Sequence, residues 1–516
     1  MLALAIILSL PIVQTYIAHY ATNTLNTDFK TDITVDKVSF NIFGGVKLKN
    51  VMIKDHHKNT LIYSDIITTD ILSFKRLSDG DLIFGDIRLT GLVFNLKTYK
   101  GENENNINKF VHLFETGKAS KKTNRHFLMT AKNAYISQGI FTVVDENKAN
   151  PYMIGFKSLN AYISDFRIYG PDVSTNIHRF SFKDSRGLFV SNLKSKFSYT
   201  KKQIKLDELS ILTKRSSIYG KVEMNYKVED FLHFTDKVRF KAVFDSASIA
   251  SNDIRFFYDG LGKSQHFKIR TKINGTLNNL TLNRLRLSDT NGSKINGNIN
   301  FRNLLGSKTQ KFSMDGKFDK LVSSYDNLVA ILPGVLGKKL PKELQRLGKF
   351  TLAGKAKIST TALESDFKIA TALGQGEADL HMNNIDFIDK ASYSGNIILD
   401  DFDIGALLNR KDIGKTTLNL DVDGVGFSEK YLNTIVKGDI NKLDYNKYTY
   451  NNILVNGNFK LPYYKGELSV NDPNLRLNFD GLVDLSKRES KYDFHLNVET
   501  ADLRKLKFVN DSISFF

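Results

Sequence analysis

The stretch that decides the fold is LRLNFDGLVDL, residues 475–485. Charged or polar residues, apart from Leu482, occupy its even-numbered positions. The odd-numbered positions carry apolar residues or glycine: Leu475, Leu477, Phe479, Gly481, Val483 and Leu485. Side chains of a β-strand point alternately to the two faces of a sheet, whereas a helix requires apolar residues three and four positions apart. The stretch therefore predicts a strand with one apolar and one polar face.

The same alternation recurs along most of the chain, for example in residues 267–273, 295–301, 312–318 and 492–498. Asn-Gly and Asp-Gly pairs recur beside and inside these runs, so we expect some to form hairpin turns and others, such as Gly481, to bend or bulge a strand. No fixed repeat length is present. The pattern predicts a mainly β fold, an elongated and curled antiparallel sheet whose apolar face must be sheltered by the sheet itself, by helices or by lipid.

Sixteen apolar residues of the alternating runs are the predicted lining of that face. They are Phe267, Ile269, Ile273, Ile295, Ile299, Phe301, Phe312, Phe318, Leu475, Leu477, Phe479, Val483, Leu485, Phe494, Leu496 and Val498. Two interruptions have helical spacing: residues 323–348, broken by Pro333 and Pro341, and residues 404–408. We expect both to form short helices that cover the sheet.

A smaller first module is predicted over residues 28–125, ahead of a long sheet over residues 126–516. Alternation begins at Ile33, and a polar link at residues 101–106 precedes a short helix over residues 107–114. A basic loop at residues 118–125 closes the module.

The amino terminus is apolar from Leu2 to Val13, and an amphipathic pattern continues to about residue 27. A membrane-spanning helix needs about 20 apolar residues, so the run is short, and an anchor, a secretory signal and a buried helix all remain open. No small-residue cleavage pattern follows closely, which favours a single-pass anchor. Its apolar residues are Leu2, Leu4, Ile6, Ile7, Leu8, Leu10, Ile12 and Val13.

Composition excludes several classes of function. The 516 residues contain no cysteine, which rules out thiol nucleophiles, disulfides and thiolate metal sites. The formal net charge is +18, but the lysines are scattered rather than clustered. We therefore interpret the charge as solvated strand faces and expect no nucleic-acid partner.

No catalytic motif, metal site or cofactor site is predicted, so the chain is expected not to be an enzyme. Gly262-Lys263-Ser264 imitates the end of a phosphate-binding loop, but the glycine required five residues earlier is Phe257. His56 and His57 follow Asp55, yet adjacent residues on a strand point to opposite faces. We interpret that segment as a polar turn rather than a metal site.

Several motifs, taken in order, resemble the AsmA-like family and, within it, the TamB-type proteins of Gram-negative envelopes. They are spread over nearly the whole chain, at residues 10–16, 55–63, 91–96, 332–336 with 340–341, 401–408, and 472–475 leading to 479–481. The resemblance implies an inner-membrane helix, a chorein-like first module and a periplasmic β-taco groove that carries phospholipids toward the outer membrane. TamB-type members are also tied to the assembly of outer-membrane proteins with a barrel partner.

The chain departs from the family pattern in its short anchor and in its end at residues 513–516, in the middle of the alternation, so we expect it to be a fragment of a longer protein. The expected function is lipid conduction along the apolar face. The alternative is a scaffold whose edge strands hold outer-membrane polypeptides. An outer-membrane barrel is disfavoured by the helical segments.

Overall fold

The structure, a computed structural model, describes residues 11–40, 45–71, 81–116, 128–148, 151–305, 311–331, 333, 342–427, 430–460, 462–485, 490–509 and 514–515. Strands account for 67% of the chain and helices for 12%, which confirms the predicted mainly β class. The chain divides into two compact units, residues 1–257 with 272–277, and residues 258–271 with 278–516.

The first unit holds the helix that starts the described chain and twelve strands. The strands are β1 (Asp32–Phe40), β2 (Gly45–Lys54), β3 (Thr60–Ile71), β4 (Leu82–Thr90), β5 (Val93–Thr98), β6 (Leu128–Asp145), β7 (Tyr152–Tyr169), β8 (Asp172–Asp184), β9 (Phe189–Tyr199), β10 (Gln203–Thr213), β11 (Ser217–Asn225) and β12 (Arg239–Ala250). The helices are α1 (Pro11–Phe29), α2 (Asn106–Thr116), α3 (Phe234–Lys237) and α4 (Ser251–Ile254), with a 3₁₀ turn at Val228–His233.

The predicted antiparallel sheet is confirmed, except that two strand pairings of the first unit are parallel. Strands β1, β2 and β3 form an antiparallel meander, and β3 pairs with both β4 and β5. Strands β4 and β5 lie end to end along β6 and pair with it in parallel. The long connection that contains α2 allows this, because parallel neighbours need a crossover of a dozen or more residues. Strands β6 to β12 then form an antiparallel meander.

The predicted boundary near residue 125, and the basic loop before it, lie outside the described residues. Helix α2 coincides with the predicted helix at residues 107–114. Strand β6 follows the predicted boundary, yet it pairs with β4 and β5, which precede it. Hydrogen bonds therefore join the predicted first module to the strands that follow it.

Helix α1 lies against β1 and completes the hydrogen bonds of that strand's free edge. The Gln14 side chain accepts from the Phe40 amide at 2.7 Å and donates to its carbonyl at 3.4 Å. The Asn26 side chain does the same for Ile33, with both distances 2.9 Å. Side-chain amides thus occupy the places that a neighbouring strand's backbone would take.

Of the predicted anchor residues, the positions from 2 to 10 lie outside the described residues. Ile12 is in α1 with its side chain 85% exposed, and Val13 belongs to the same helix. Within the described ranges, no helix is both long enough and apolar enough to cross a bilayer.

The second unit is a series of antiparallel strands in chain order. They are β13 (His266–Gly275, divided between the units after Thr271), β14 (Leu280–Asp289), β15 (Lys294–Arg302), β16 (Ser313–Ser324), β17 (Lys349–Ser359), β18 (Ala362–Thr371), β19 (Gly374–Asn383), β20 (Ser392–Asp403), β21 (Ile413–Val425), β22 (Asn433–Tyr445), β23 (Tyr448–Lys460), β24 (Tyr463–Asp472), β25 (Leu475–Asp484), β26 (Lys491–Asp502) and β27 (Ser514–Phe515). Its helices are α5 (Tyr325–Ile331) and α6 (Ile404–Leu408), with 3₁₀ turns at Lys342–Leu347 and Ile388–Lys390.

The predicted helical insertion at residues 323–348 is described only in part. Ser323 and Ser324 still belong to β16, and helical structure is described only in α5 and at Lys342–Leu347. Most of the residues between them lie outside the described ranges. The predicted helix at residues 404–408 is α6, which Asp403 caps by accepting from the Ala406 amide at 2.8 Å.

Most Asn-Gly and Asp-Gly pairs lie inside strands rather than in hairpin turns. Asn291-Gly292 is in the turn between β14 and β15, whereas Gly481 lies within β25, in register with Gly466 and Phe494. The expectation of a bulge at Gly481 is therefore wrong. Bulges occur instead where ordinary residues adopt positive φ, as at Arg284 (φ 51°) and Asp401 (φ 43°).

Candidate functional site: an apolar face on the second unit

Residues that lie directly opposite one another on β14 to β26 form continuous apolar rows. Row 1 consists of Leu287, Ile295, Leu321, Leu352, Ile369, Gly376, Leu399, Leu418, Ile440, Ile453, Val470, Leu477 and Val498. Row 2 consists of Leu285, Gly297, Phe318, Gly354, Phe367, Ala378, Ile397, Leu420, Gly438, Val455, Leu468, Phe479 and Leu496.

Two further rows complete the same face, which we call the apolar face. Row 3 runs through Ile299, Gly316, Ala356, Ser365, Leu380, Gly395, Val422, Val436, Gly457, Gly466, Gly481 and Phe494. Row 4 consists of Phe301, Met314, Ile358, Leu363, Met382, Tyr393, Gly424, Thr434, Phe459, Tyr464, Val483 and Tyr492. Directly opposite residues share a face, which joins the members of each row, and alternate residues of a strand also share a face, which joins one row to the next.

The opposite face, which we call the polar face, carries the reverse chemistry. One of its rows consists of Asn298, Lys317, Lys355, Asp366, Asp379, Asn396, Asp421, Lys437, Asn456, Glu467, Asp480 and His495. No member of this row is apolar, and most are exposed. From β15 to β26 the sheet therefore has one apolar face and one polar, largely charged face.

The apolar face is partly sheltered rather than sealed. It has two buried clusters, one centred on Leu285 and Phe318 and the other on Ile453 and Val470. The second also includes the buried Leu506, which follows β26. Many members of the rows are half-buried, as in β25, where half-buried apolar positions alternate with exposed polar ones. On β26 the face is open to solvent, and Leu496 is 47% exposed.

Three glycines of row 3 are neighbours and leave a strip without side chains. Gly457 pairs with Gly466, and Gly466 pairs with Gly481. A series of rings crosses this strip, from Phe459 and Tyr464 in row 4 to Phe479 in row 2 and Phe494 in row 3, with successive centroids 4.7, 5.8 and 5.1 Å apart. The Tyr464 ring lies over Gly457, where a Cβ would meet ring atoms at 2.6 and 2.8 Å, so the glycine makes room for the ring.

Burial on this face raises the pKa of two tyrosines. Burial raises the pKa of the Tyr464 hydroxyl, and the nearby Glu467 carboxylate adds to the rise. Burial also raises the pKa of Tyr393, which lies in row 4. Both shifts follow from the cost of placing a phenolate where water is scarce.

The predicted lining residues fall into three groups. Ten lie in the rows: Ile295, Ile299, Phe301, Phe318, Leu477, Phe479, Val483, Phe494, Leu496 and Val498. Phe267, Ile269 and Ile273 lie on β13, where Phe267 is buried and Ile269 packs on the first cluster. Phe312 immediately precedes β16, and Leu475 and Leu485 lie at the start and just past the end of β25.

Sequence reasoning missed the middle of the face, from β17 to β24. Its members include Leu418, Ile440, Ile453 and Val470. The signal was present, because Leu418, Leu420 and Val422 alternate with polar residues in the same way as residues 475–485.

A depression of about 610 Å³ spans β22 to β26 and is lined by residues of both faces. From the polar face come Lys437, Asn456, Glu467, Asp480 and His495, with the exposed Leu454, and from row 2 come Gly438, Val455, Leu468 and Phe479. Because charged side chains line part of it, the depression is not a purely apolar groove.

The first unit shows the same alternation on a smaller scale. Val173, Tyr199, Ile204, Met224 and Phe240 lie opposite one another across β8 to β12. A buried cluster of this unit, around Leu159 and Phe182, lies on β7 to β9.

No protein-family model matches this chain, and neither does any curated protein or solved structure.

Proposed function

We propose that this protein binds phospholipid acyl chains on the apolar face and conducts them between membranes. In this proposal the chain is a periplasmic protein, held at the inner membrane by residues 2–13, that delivers lipid toward the outer membrane. The role is non-enzymatic and requires no cofactor or nucleic acid.

The observation that carries the proposal is the continuity of the rows. An acyl chain gains about 0.8 kcal/mol for each methylene group it buries. Successive strands offer nearly the same apolar surface at intervals of about 4.8 Å. A lipid that moves from one strand to the next would therefore exchange one set of contacts for an equivalent set, without a deep trap.

In this proposal the lipid headgroup stays in contact with water. The apolar positions are half-buried rather than sealed, so a chain on them would remain next to water at the open side. On β26 the exposed Phe494 and Leu496 offer a surface from which lipid can enter or leave.

A photoreactive phospholipid tests the proposal directly. The purified full chain would be incubated with vesicles that contain a lipid with a diazirine on its acyl chain, then irradiated and mapped by mass spectrometry. We expect cross-links at apolar-face residues of β14 to β26. Cross-links only at the polar face, or no uptake and no co-purifying phospholipid, would refute the proposal.

A matched pair of variants on β25 separates the two faces. Phe479→Asp places a carboxylate in row 2, whereas Asn478→Asp places the same group one residue away on the polar face. Because an acyl chain that covers a carboxylate removes its water at a cost of several kcal/mol, and each 1.4 kcal/mol is tenfold, cross-linking near β25 should fall about tenfold or more for Phe479→Asp alone. Equal effects of the two substitutions would contradict the face assignment.

A scaffold for outer-membrane polypeptides is the second candidate, and one observation favours it. Within the described residues, β26 pairs with β27 only at Ala501 and Asp502, so the outer edge of residues 491–500 carries no described strand. An open edge can accept an extended polypeptide by strand addition. Site-specific cross-linkers on β26 that trap barrel precursors and no lipid would select this candidate.

A further inference from the structure

The turn between β2 and β3 is held by a buried carboxylate. Asp55 is only 4% exposed. One of its oxygens accepts from the amides of His57 and Asn59, both at 3.0 Å. The other accepts from the Tyr99 hydroxyl at 2.6 Å and from the Asn106 side chain at 3.0 Å. These bonds fix the turn against the segment that leads into α2.

The segment is the polar turn that the sequence predicts, but it brings the two imidazoles to one side, so the argument from strand alternation fails for His56 and His57. Their backbone is a turn and not a strand, and side-chain alternation does not apply. The Nε2 atom of His56 lies 3.0 Å from both Glu102 oxygens, and that of His57 lies 2.9 Å from Oε1. The Tyr99 ring packs against the His57 ring, and their centroids are 4.0 Å apart.

We propose that His56, His57 and Glu102 form a binding site for a divalent transition metal, with Zn²⁺ as the cation it fits best. One atom of each residue lies within 4.8 Å of the other two. Zn²⁺ binds imidazole nitrogen and carboxylate oxygen at about 2.0–2.2 Å, which places neighbouring ligand atoms about 3.3 Å apart. The nitrogen–oxygen distances here need to lengthen by only a few tenths of an ångström.

Imidazole nitrogen selects against Mg²⁺ and Ca²⁺, which prefer oxygen ligands. Three protein ligands leave at least one position of the metal for water, because His56 and His57 remain partly exposed. The site is independent of the apolar face and of the lipid proposal.

One side chain competes with the metal. The Lys109 ammonium on α2 lies 2.9 Å from Oε2 of Glu102. Its charge repels a cation, so the lysine must swing away when the metal binds. Its side chain is 34% exposed and can reach solvent. We therefore expect binding that is weaker than in sites without a competing cation.

Metal binding would connect two parts of the first unit that are distant in sequence. His56 and His57 belong to the β2–β3 turn, and Glu102 precedes α2 by a few residues. A metal that binds only the folded arrangement stabilises it by mass action. The site would therefore act as a clamp on this part of the chain.

Titration calorimetry of the full chain with Zn²⁺, after chelator treatment, tests the inference. We expect one saturable site per chain, with a rise in the thermal unfolding temperature. His57→Ala and Glu102→Gln should each weaken binding at least about tenfold, since even outer-shell changes have effects of this size. His112→Ala, on an exposed histidine of α2, is the matched control and should leave binding unchanged.

A charge variant separates a metal site from a hydrogen-bonded clamp. Lys109→Met should strengthen Zn²⁺ binding several-fold, because it removes the competing cation. Co²⁺ added to the full chain should give visible d–d absorption that is lost in His57→Ala, a signal that does not depend on stability. Absence of a saturable site, or equal loss in His112→Ala, would overturn the inference.

Discussion

Asp472 holds the turn between β24 and β25, and its removal should destabilise this part of the second unit. The residue is fully buried and is the last residue of β24, immediately before Pro473. Its carboxylate accepts from the Tyr448 hydroxyl at 2.5 Å and from the Asn474 amide at 2.9 Å. It also accepts from the Asn451 amide at 3.0 Å and the Asn451 side chain at 2.9 Å.

The magnitude follows from the donors that Asp472→Ala would leave behind. A hydrogen bond to a charged group contributes about 1.5–3 kcal/mol, and a buried donor without an acceptor costs about 1–3 kcal/mol. The Tyr448 hydroxyl and the Asn451 side chain can turn elsewhere, whereas the two backbone amides cannot. We therefore expect a loss of about 3–5 kcal/mol, since the effects do not add fully.

Hydrogen exchange measured by mass spectrometry would report this loss locally. If exchange follows the opening equilibrium, peptides that cover residues 448–475 should exchange about a hundredfold to a few thousandfold faster in Asp472→Ala. Asp493→Ala, on the exposed strand β26, should change stability by less than about 0.5 kcal/mol. Unchanged exchange at residues 448–475 would refute the role assigned to the carboxylate.

The effect should also depend on pH. Burial acts to raise the pKa of Asp472, but hydrogen bonds from Tyr448, Asn474 and Asn451 outweigh it and hold the pKa below its ordinary value of 3.8. A lowered pKa stabilises the folded state above about pH 4, and this contribution is lost as the pH falls through the folded-state value. The difference between wild type and Asp472→Ala should therefore shrink below pH 4.

Two further substitutions test the strand geometry. Gly481→Ala should lower the free energy of unfolding by about 2–4 kcal/mol, because φ is +143° and a Cβ would lie 2.3 Å from the Phe494 Cα. Asp480→Ala on the same strand is the control. Equal denaturation midpoints of the two variants would contradict the argument. Gln14→Leu removes both hydrogen bonds to Phe40, at a cost of about 1–2 kcal/mol. Faster hydrogen exchange of the Phe40 amide should reveal this loss. Unchanged protection of that amide would mean that the Gln14 side chain does not cover this edge.

The face chemistry of the second unit was predictable because it depends on a period of two residues. Once a segment such as residues 475–485 is identified as a strand, the face of Phe479 follows without knowledge of its partners. Placing residues in rows also requires the register between neighbouring strands, which one strand alone does not determine. Bulges interrupt the alternation at residues whose type gives no sign of them. Arg284 is an example, because only its positive φ in the structure marks the bulge.

The parallel pairing and the histidine cluster were not predictable, for a shared reason. Strand β6 pairs with β4 across the connection that contains α2, and nothing local in either strand encodes the direction. Glu102 is 45 residues from His57, and only the folded turn directs both imidazoles toward it. Such contacts depend on tertiary geometry.

The glycine strip has a consequence for natural variation in this protein. Every single-base change that replaces a glycine codon by a sense codon for another amino acid adds a Cβ. At Gly466 that atom would lie 2.3 Å from the Asn456 carbonyl oxygen, and at Gly481 it would meet the backbone of β26. No missense change at either codon avoids this clash. We therefore expect selection to remove variants at these two positions.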